Sequence, residues 1–287
     1  MARIIGGIGI SHTPSMGIEY DRGMAGGFDP RWQRWFDGTR PVRDWLERLS
    51  PSRMVIVYND HLNHFTFEAY PTLAIGAAET FPQADEGWGP RSLPDLSGDV
   101  ALCWDMANRL IRTGFDLTVC QQLSVDHGIY SWFPYLFDQP WEVPIVPIAV
   151  NMIRHPLPTI ERMWALGGAI RAAVEAYPAD ERVLVVATGG MSHQISGARF
   201  GMANEDLDRY FLRELQHGYR TLMAIEQEDY MRLGGVEAAE LSVWFAMRGA
   251  LSDDIARIHD FYTFPQITGC GVVSFEEPAA FAATPRA

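Results

Sequence analysis

Short apolar runs alternate with longer amphipathic segments along the first two thirds of the chain. Five of these runs are rich in β-branched residues and are bounded by Gly, Pro, Asp or Asn, a pattern typical of buried strands. The runs are residues 4–10, 54–58, 117–120, 143–150 and 183–188. Three segments repeat apolar residues at i, i+3, i+4 and i+7, which predicts helices. These segments are residues 31–49, 99–114 and 158–177.

The alternation of strands and helices indicates the fold class. Strands separated by helices of this length are typical of βαβ units. We therefore predict an α/β fold, with one domain over residues 1–287 and a largely parallel or mixed central sheet covered by helices on both faces. Two segments carry separate predictions. Residues 72–96 contain several Pro and Gly and predict a long irregular loop, and residues 236–248 predict a strongly apolar helix.

Charge and hydropathy exclude several classes of protein. The formal net charge is −13 and the chain has no basic run, which argues against nucleic-acid binding. The longest apolar stretches are strand-sized and too short to span a membrane. The first residues lead directly into a predicted strand, which leaves no room for a signal peptide, so we expect a cytoplasmic protein.

Four histidines stand in polar loops at the ends of strand-like runs. They are His12, His61, His127 and His193. Loops that follow the strands of an open α/β sheet meet at one edge, so these side chains are expected to lie close together. Imidazole is the commonest metal ligand and transfers protons near neutral pH. The pattern predicts a metal enzyme, although a histidine at a strand end is often only a hydrogen-bonded loop residue.

Two carboxylates lie in the apolar helix predicted for residues 236–248. At least one of Glu237 and Glu240 is expected to point inward, where a carboxylate needs a partner or a metal. Two histidines and one carboxylate form the ligand set of non-haem Fe(II) oxygenases, which favours His12, His61 and Glu240 as ligands. The alternative is that both glutamates are solvated or pair with nearby arginines.

Six motifs occur in order along nearly the whole chain. They are Ser-His-Thr-Pro at 11–14, Val-Tyr-Asn-Asp-His at 57–61, Ala-Asp-Glu-Gly-Trp-Gly-Pro at 84–90, Val-Asp-His-Gly at 125–128, Thr-Gly-Gly-Met-Ser-His-Gln at 188–194 and Glu-Leu-Ser-Val-Trp at 240–244. Together they resemble the class III extradiol ring-cleavage dioxygenases, in particular the protocatechuate 4,5-dioxygenase β subunit and the gallate dioxygenases.

The resemblance implies a reaction and a role for each residue. His12, His61 and Glu240 would bind Fe(II), His193 would act as acid and base, and His127 would lie near the substrate. The implied reaction is extradiol cleavage of a catechol-type ring with insertion of both atoms of O2, an oxidoreductase step in aromatic catabolism. A zinc metallohydrolase on the same ligands and a non-catalytic binding protein are the alternatives.

Two departures from the family concern the substrate. Residues 264–271 lack the Ser-Asn pair that helps relatives to bind a substrate carboxylate, which leaves Thr268 as the polar candidate. Bulky aromatic residues follow His127; such clusters more often belong to a core, but Tyr130 and Trp132 are also candidate substrate-binding residues. We therefore expect a bulkier or less acidic catechol than protocatechuate. Some relatives use a small α subunit, so the resemblance also allows such a partner and a homo- or hetero-oligomer.

Overall fold

One large mixed sheet forms the centre of the molecule. The structure, a computed structural model, describes residues 1–278, and the last nine residues of the predicted 1–287 domain lie outside this part. The strands in chain order are β1 (Arg3–Ile10), β2 (Arg53–Asn59), β3 (Leu73–Gly76), β4 (Thr80–Phe81), β5 (Leu96–Ser97), β6 (Thr118–Cys120), β7 (Ile145–Val150), β8 (Arg182–Thr188), β9 (Ala256–Thr263) and β10 (Cys270–Glu276).

Helices connect most of the strands. The α-helices are α1 (Pro14–Gly26), α2 (Pro30–Leu49), α3 (Val100–Arg112), α4 (His127–Tyr130), α5 (Phe133–Leu136), α6 (Ile160–Glu175), α7 (Glu205–Glu214), α8 (Tyr219–Met223), α9 (Gln227–Gly234) and α10 (Trp244–Ala250). Two 3-10 helices span Gly197–Arg199 and Val236–Val243. None of the helices within residues 1–278 has both the length and the apolar character needed to cross a bilayer.

The large sheet has eight strands in the order β6-β3-β7-β2-β8-β1-β10-β9. β1 and β2 are both parallel to β8, β2 is parallel to β7, and β3 is parallel to β6. β3 runs antiparallel to β7, and β10 runs antiparallel to both β1 and β9. The prediction of an α/β fold with a largely parallel or mixed sheet is confirmed.

Apolar side chains of the central strands enter two separate cores. In β2, Val55 and Val57 pack into the core that includes α3, α6 and α10. Met54, Ile56 and Tyr58 point to the opposite face, into the core that includes α2, α4 and α5. Side chains alternate across a strand, so a strand covered on both faces is apolar at every position. This explains why the strand-like runs of the sequence are continuous rather than alternating.

Two predicted segments differ from the structure. The segment at 72–96, predicted as one irregular loop, contains the buried strand β3 between β7 and β6, and it also contains β4. β3 is only four residues long and is stabilised by hydrogen bonds to both neighbours, which a local pattern does not reveal. The segment at 236–248, predicted as one helix, is a 3-10 helix followed by α10.

Candidate metal centre and active site

Three loops that carry histidines follow three neighbouring parallel strands. β2, β8 and β1 lie side by side, so their carboxyl ends share one edge of the sheet. His61 comes after β2, His193 after β8 and His12 after β1. His127 begins α4, and its ring centroid lies 3.9 Å from that of His61. The four histidines therefore meet at one edge of the sheet, as the sequence predicts.

His12, His61 and Glu240 bring three potential ligand atoms together. Nε2 of His12 lies 3.2 Å from Nε2 of His61 and 3.3 Å from Oε2 of Glu240. Nε2 of His61 lies 3.6 Å from Oε1 of Glu240. Atoms that bind one ion at about 2.1 Å lie roughly 3.0 to 3.5 Å apart, so these three side chains fit a shared metal ion.

Hydrogen bonds on the far side of each ring orient the two histidines. Nδ1 of His61 lies 3.0 Å from Oδ2 of the buried Asp126, which also accepts the backbone N–H of His61 at 2.7 Å. Nδ1 of His12 lies 2.9 Å from Oγ1 of Thr188. Such contacts hold a ligand imidazole in one tautomer and one orientation. Both Nε2 atoms are thereby directed toward Glu240.

The 3-10 helix Val236–Val243 decides which glutamate faces the histidines. Residues i and i+3 of a 3-10 helix lie above one another, so Glu237 and Glu240 occupy the same side. Glu240 is buried, and its two oxygens accept hydrogen bonds from the backbone N–H of Gly190 at 2.5 Å and from Nδ2 of Asn59 at 3.0 Å. Glu237 is partly exposed and lines the adjacent cavity.

Two glycines after β8 allow this helix to approach the sheet closely. A Cβ atom on Gly189 would lie 2.8 Å from the carbonyl oxygen of Glu240. A Cβ atom on Gly190 would lie 2.4 Å from Cε1 of His193. The indole N–H of Trp244 donates to the carbonyl oxygen of Gly189 at 3.1 Å. The Gly-Gly pair is therefore required for packing at the candidate metal centre.

Burial and neighbouring carboxylates move the pKa values of the two histidines apart. Burial lowers the pKa of His12 to about 4, so its ring is neutral. Burial also opposes a charge on His61, but the charge and hydrogen bond of Asp126, together with Glu240, outweigh it and raise the pKa to about 10. Burial disfavours the charge of Glu240, yet its hydrogen bonds with both histidines hold its pKa well below the usual range. A metal ion must therefore displace a proton from His61.

His193 is held by its own loop through one ring nitrogen. Its Nδ1 lies 2.8 Å from the carbonyl oxygen of Met191. A carbonyl only accepts hydrogen bonds, so Nδ1 carries a proton, and in the neutral form of the ring Nε2 is an acceptor. His193 also pairs through its backbone with Thr268 of the adjoining loop. The tautomer is that of a side chain ready to take a proton.

His127 is held by a carboxylate from a distant loop. Oε2 of Glu86 lies 2.5 Å from Nδ1 of His127, and Oε1 accepts the backbone N–H of the same residue at 3.0 Å. One nitrogen of His127 also lies within 4.8 Å of nitrogens of His12 and His61. The His12, His61 and Glu240 atoms lie 3.2 to 3.6 Å apart, the spacing that a shared ion requires, and Nδ1 of His127 is bound to Glu86. We therefore take His12, His61 and Glu240 as the candidate ligand set, with His127 beside it.

A cavity of about 500 Å³ opens beside the candidate metal centre. Its volume falls within the range of small-molecule sites. The side chains that line it include His12, His61, His127, His193, Glu240 and Thr268. The structure thus places the predicted metal-binding and catalytic residues, and one predicted substrate-binding residue, around a single cavity.

A comparison with protein families identifies the family of this chain. The family described as the catalytic LigB subunit of aromatic ring-opening dioxygenase matches residues 6–273, a span that contains every side chain of the site. The chain belongs to the LigB family.

Curated relatives of this LigB-family chain carry dioxygenase names. A gallate dioxygenase of Pseudomonas putida is 40% identical over 195 residues, which are 67% of this chain and 57% of the relative. A 2,3-dihydroxyphenylpropionate/2,3-dihydroxicinnamic acid 1,2-dioxygenase of Pseudomonas putida is 31% identical over 189 residues, which are 64% of this chain and 55% of the relative. The chain therefore spans little more than half the length of these relatives.

A solved structure shares the fold of this LigB-family chain. An uncharacterized protein of Escherichia coli K12 superposes with a TM-score of 0.59, covering 95% of this chain and 99% of that protein. The two sequences are 13% identical, so the likeness extends to the fold alone.

Two of the predicted substrate-binding residues, Tyr130 and Trp132, are buried and lie outside the lining of this cavity. Tyr130 is 1% exposed, and its hydroxyl donates to the carbonyl oxygen of Phe81 at 2.9 Å. Trp132 is fully buried, and its indole N–H donates to the carbonyl oxygen of Gly128 at 2.9 Å. Neither residue lines the cavity beside the metal centre. Both belong to the aromatic core on the α2 face. Their polar atoms can be buried there because each one hydrogen bonds to a backbone carbonyl.

Three residues of the site have no role in the sequence prediction. Asp126, Glu86 and Asn59 orient His61, His127 and Glu240 through the hydrogen bonds described above. Each of them lies inside one of the six motifs, next to or near a predicted site residue. Their positions in the motifs could have identified them as candidate site residues from the sequence. The side chain that each one contacts is known only from the tertiary structure.

Proposed function

We propose that this chain is the single catalytic domain of an Fe(II)-dependent extradiol dioxygenase that opens a catechol-type aromatic ring and inserts both atoms of O2. One observation carries the proposal. Two imidazole nitrogens and one carboxylate converge beside a cavity of about 500 Å³, and a third histidine presents a free acceptor nitrogen to the same cavity.

The donor set fits a ferrous ion. Two neutral imidazoles and one carboxylate are the ligands of non-haem Fe(II) oxygenases, and they leave coordination positions open for other ligands. His12, His61 and Glu240 would hold the ion. When bound, it would supply Lewis acidity to the two oxygens of the substrate and a path for electrons between the ring and O2.

The remaining side chains handle protons and orientation. His193 removes a proton from a catechol hydroxyl at its Nε2, because its Nδ1 hydrogen is already donated to the Met191 carbonyl. His127, held by Glu86, orients the substrate ring from its position beside His12 and His61. Thr268 is a neutral polar contact beside His193. The largely buried setting of these groups keeps bulk water away from the reacting atoms.

Exposed apolar side chains around the cavity point to a partner chain. Trp88 and Ile195 line the cavity yet are 54% and 55% exposed, and Phe200 of the neighbouring loop is 62% exposed. Apolar side chains around a cavity mouth are typical of a surface covered by another chain. We therefore propose that a second copy or a small α subunit completes the site in an oligomer, which mass measurement in solution tests.

Metal reconstitution tests the proposed reaction directly. Metal-depleted protein is loaded anaerobically with Fe(II) or with Zn(II), mixed with a panel of catechols and exposed to O2. We expect stoichiometric uptake of O2 and the appearance of ring-opened product with iron only. Hydrolytic activity of the zinc form without O2 uptake would favour a metallohydrolase, and inertness of both forms would favour a binding protein.

A variant of the third ligand tests the metal assignment. Glu240→Ala is expected to remain folded, to lose stoichiometric iron and to lose activity, because two histidines alone bind the ion weakly. The matched variant Glu237→Ala removes a carboxylate from the same side of the same helix and is expected to retain iron. Retention of iron by Glu240→Ala, with loss in Glu237→Ala, would reverse the assignment.

A further inference from the structure

The cavity beside the metal centre presents no lysine or arginine side chain to a substrate. No lysine or arginine is found among the side chains that line it within the described residues. Its carboxylates are Glu86, Glu237 and Glu240. A substrate carboxylate that enters a partly buried site must replace its hydration with hydrogen bonds or an opposite charge. The lining therefore disfavours a ring that carries a negative substituent.

Arginines on the adjoining loops make hydrogen bonds to other parts of the protein. Arg91 donates from Nε and Nη2 to the two carboxylate oxygens of Asp21, each at 2.7 Å, and from Nη1 to the carbonyl oxygen of Tyr130. Arg199 donates to the side chain of Gln194 and to the backbone of α9. Neither guanidinium lines the cavity.

Two of the three carboxylates, Glu240 and Glu86, already accept hydrogen bonds from the protein. Glu240 accepts from Asn59 and Gly190 and faces the two histidines of the metal centre. Glu86 uses both oxygens on His127. Their oxygens already accept hydrogen bonds from groups of the protein, so they are not available to a substrate substituent.

Glu237 is the carboxylate that remains. The hydrogen bond it makes within the described residues is a long one, 3.4 Å from the backbone N–H of Ile195 to its Oε2. The 3-10 helix places Glu237 on the same side as Glu240, one turn earlier in the helix, at the wall of the cavity. Its negative charge therefore faces the space that a ring substituent would occupy.

Trp88 and Ile195 add apolar surface to the same cavity. Both line it and are more than half exposed. Apolar surface accepts an alkyl substituent, and the face of an indole attracts a cation. Together with Glu237, these side chains make a lining that suits neutral or positively charged groups.

We propose that Glu237 is a specificity-determining residue that makes this cavity select catechols whose ring substituent carries no negative charge. The inference rests on the proposed function and deepens it by naming the charge class of the substrate. Like charges that face each other in a partly desolvated site reduce binding, whereas a cation opposite the same carboxylate gains from it.

Three catechols with different substituents at position 4 test the proposal: methyl, 2-aminoethyl and carboxylate. The proteins are wild type, Glu237→Gln and the control Glu228→Gln, which removes the same charge from an exposed position on α9. Each protein is loaded with Fe(II). The anaerobic dissociation constant and kcat/KM are measured for each catechol.

The expected pattern depends on charge. Wild type should bind and turn over the methyl and aminoethyl catechols at least about tenfold better than the carboxylate. Glu237→Gln should reduce the ratio of aminoethyl to carboxylate by about tenfold and should affect the methyl compound less than either charged compound. Glu228→Gln should behave like wild type.

Other outcomes overturn the inference. A preference of wild type for the carboxylate compound would show that another group, such as one from a partner chain, holds the anion. If the ratio of aminoethyl to carboxylate catechol is unchanged in Glu237→Gln, or changes equally in Glu228→Gln, then Glu237 does not determine the charge preference. If no catechol is cleaved, the proposed function fails, but the order of the anaerobic dissociation constants still decides the inference.

Discussion

Replacement of Asp126 by asparagine tests how the metal centre is oriented. The carboxylate of Asp126 is buried and accepts four hydrogen bonds. Oδ2 accepts from the backbone N–H of His61 at 2.7 Å, from its Nδ1 at 3.0 Å and from Nδ2 of Asn63 at 3.0 Å, and Oδ1 accepts from the backbone N–H of Gly128 at 2.8 Å. Asp126 therefore connects the loop after β2 to the start of α4.

The expected cost follows from these contacts. An asparagine has one acceptor oxygen, and three donors lie on the His61 side, so the amide NH2 must face the N–H of Gly128. One buried donor then loses its partner, which costs about 1 to 3 kcal/mol of unfolding free energy. Loss of the carboxylate behind a ligand imidazole lowers the metal affinity of the neutral imidazole about 10- to 100-fold, which corresponds to roughly 1.4 to 2.7 kcal/mol. Because the variant also loses the charge that raises the His61 pKa, the affinities are compared after correction for the proton that the metal displaces.

The assay separates the two effects. Metal affinity is measured by anaerobic competition against a chelator, and stability of the metal-free protein by urea unfolding. The matched control is Asp60→Asn. Asp60 is as buried as Asp126 and lies next to His61 in the loop after β2. Its carboxylate accepts hydrogen bonds from the backbone N–H groups of Asn63, His64 and Phe65 rather than from the His61 ring. Asp60→Asn should lose stability with a much smaller loss of affinity. Equal losses of affinity in both variants would refute the proposed orienting role of Asp126.

Three further predictions concern protons. His193→Ala should keep iron and lose turnover by about 10²- to 10⁴-fold, with a smaller loss for His127→Ala; loss of iron from His193→Ala would contradict its role as base. Metal binding at pH 7.5 should release about one proton, because the His61 pKa of about 10 leaves its ring protonated beforehand; calorimetry in buffers of different ionisation enthalpy measures this, and zero release would contradict it. Burial raises the pKa of Asp208 from 3.8 to about 6 despite hydrogen bonds from Ser192 and Tyr262. The folded state thus binds the extra proton between pH 4 and 6, and this carboxyl lowers unfolding free energy by about 3 kcal/mol as pH rises through that window. Asp208→Asn should remove this contribution to the decrease of unfolding free energy with pH, which urea unfolding at a series of pH values measures. An unchanged pH dependence would show that the carboxyl does not titrate there.

Much of the fold was determined by local pattern alone. Continuous apolar runs marked β1, β2, β7 and β8, because strands covered on both faces are apolar at each position. A shorter run marked β6, which lies at the edge of the sheet. The polar residues that interrupt these runs marked the ends of strands, and parallel strands bring their ends together. The approach of His12, His61 and His193 therefore followed from the order of elements. The four-residue strand β3 did not follow, since its stability comes from hydrogen bonds to β6 and β7, which are distant in sequence.

The detailed chemistry of the site was decided by the tertiary structure. Local pattern left Glu237 and Glu240 as alternatives, and only the close approach of the 3-10 helix to Gly189 and Gly190 places Glu240 against the histidines. The partner of His61 is 65 residues away in sequence and that of His127 is 41 residues away, so no periodicity connects them. Hydrogen bonds between such residues exist only once the loops have met, and these bonds determine which nitrogen of each ring faces the cavity.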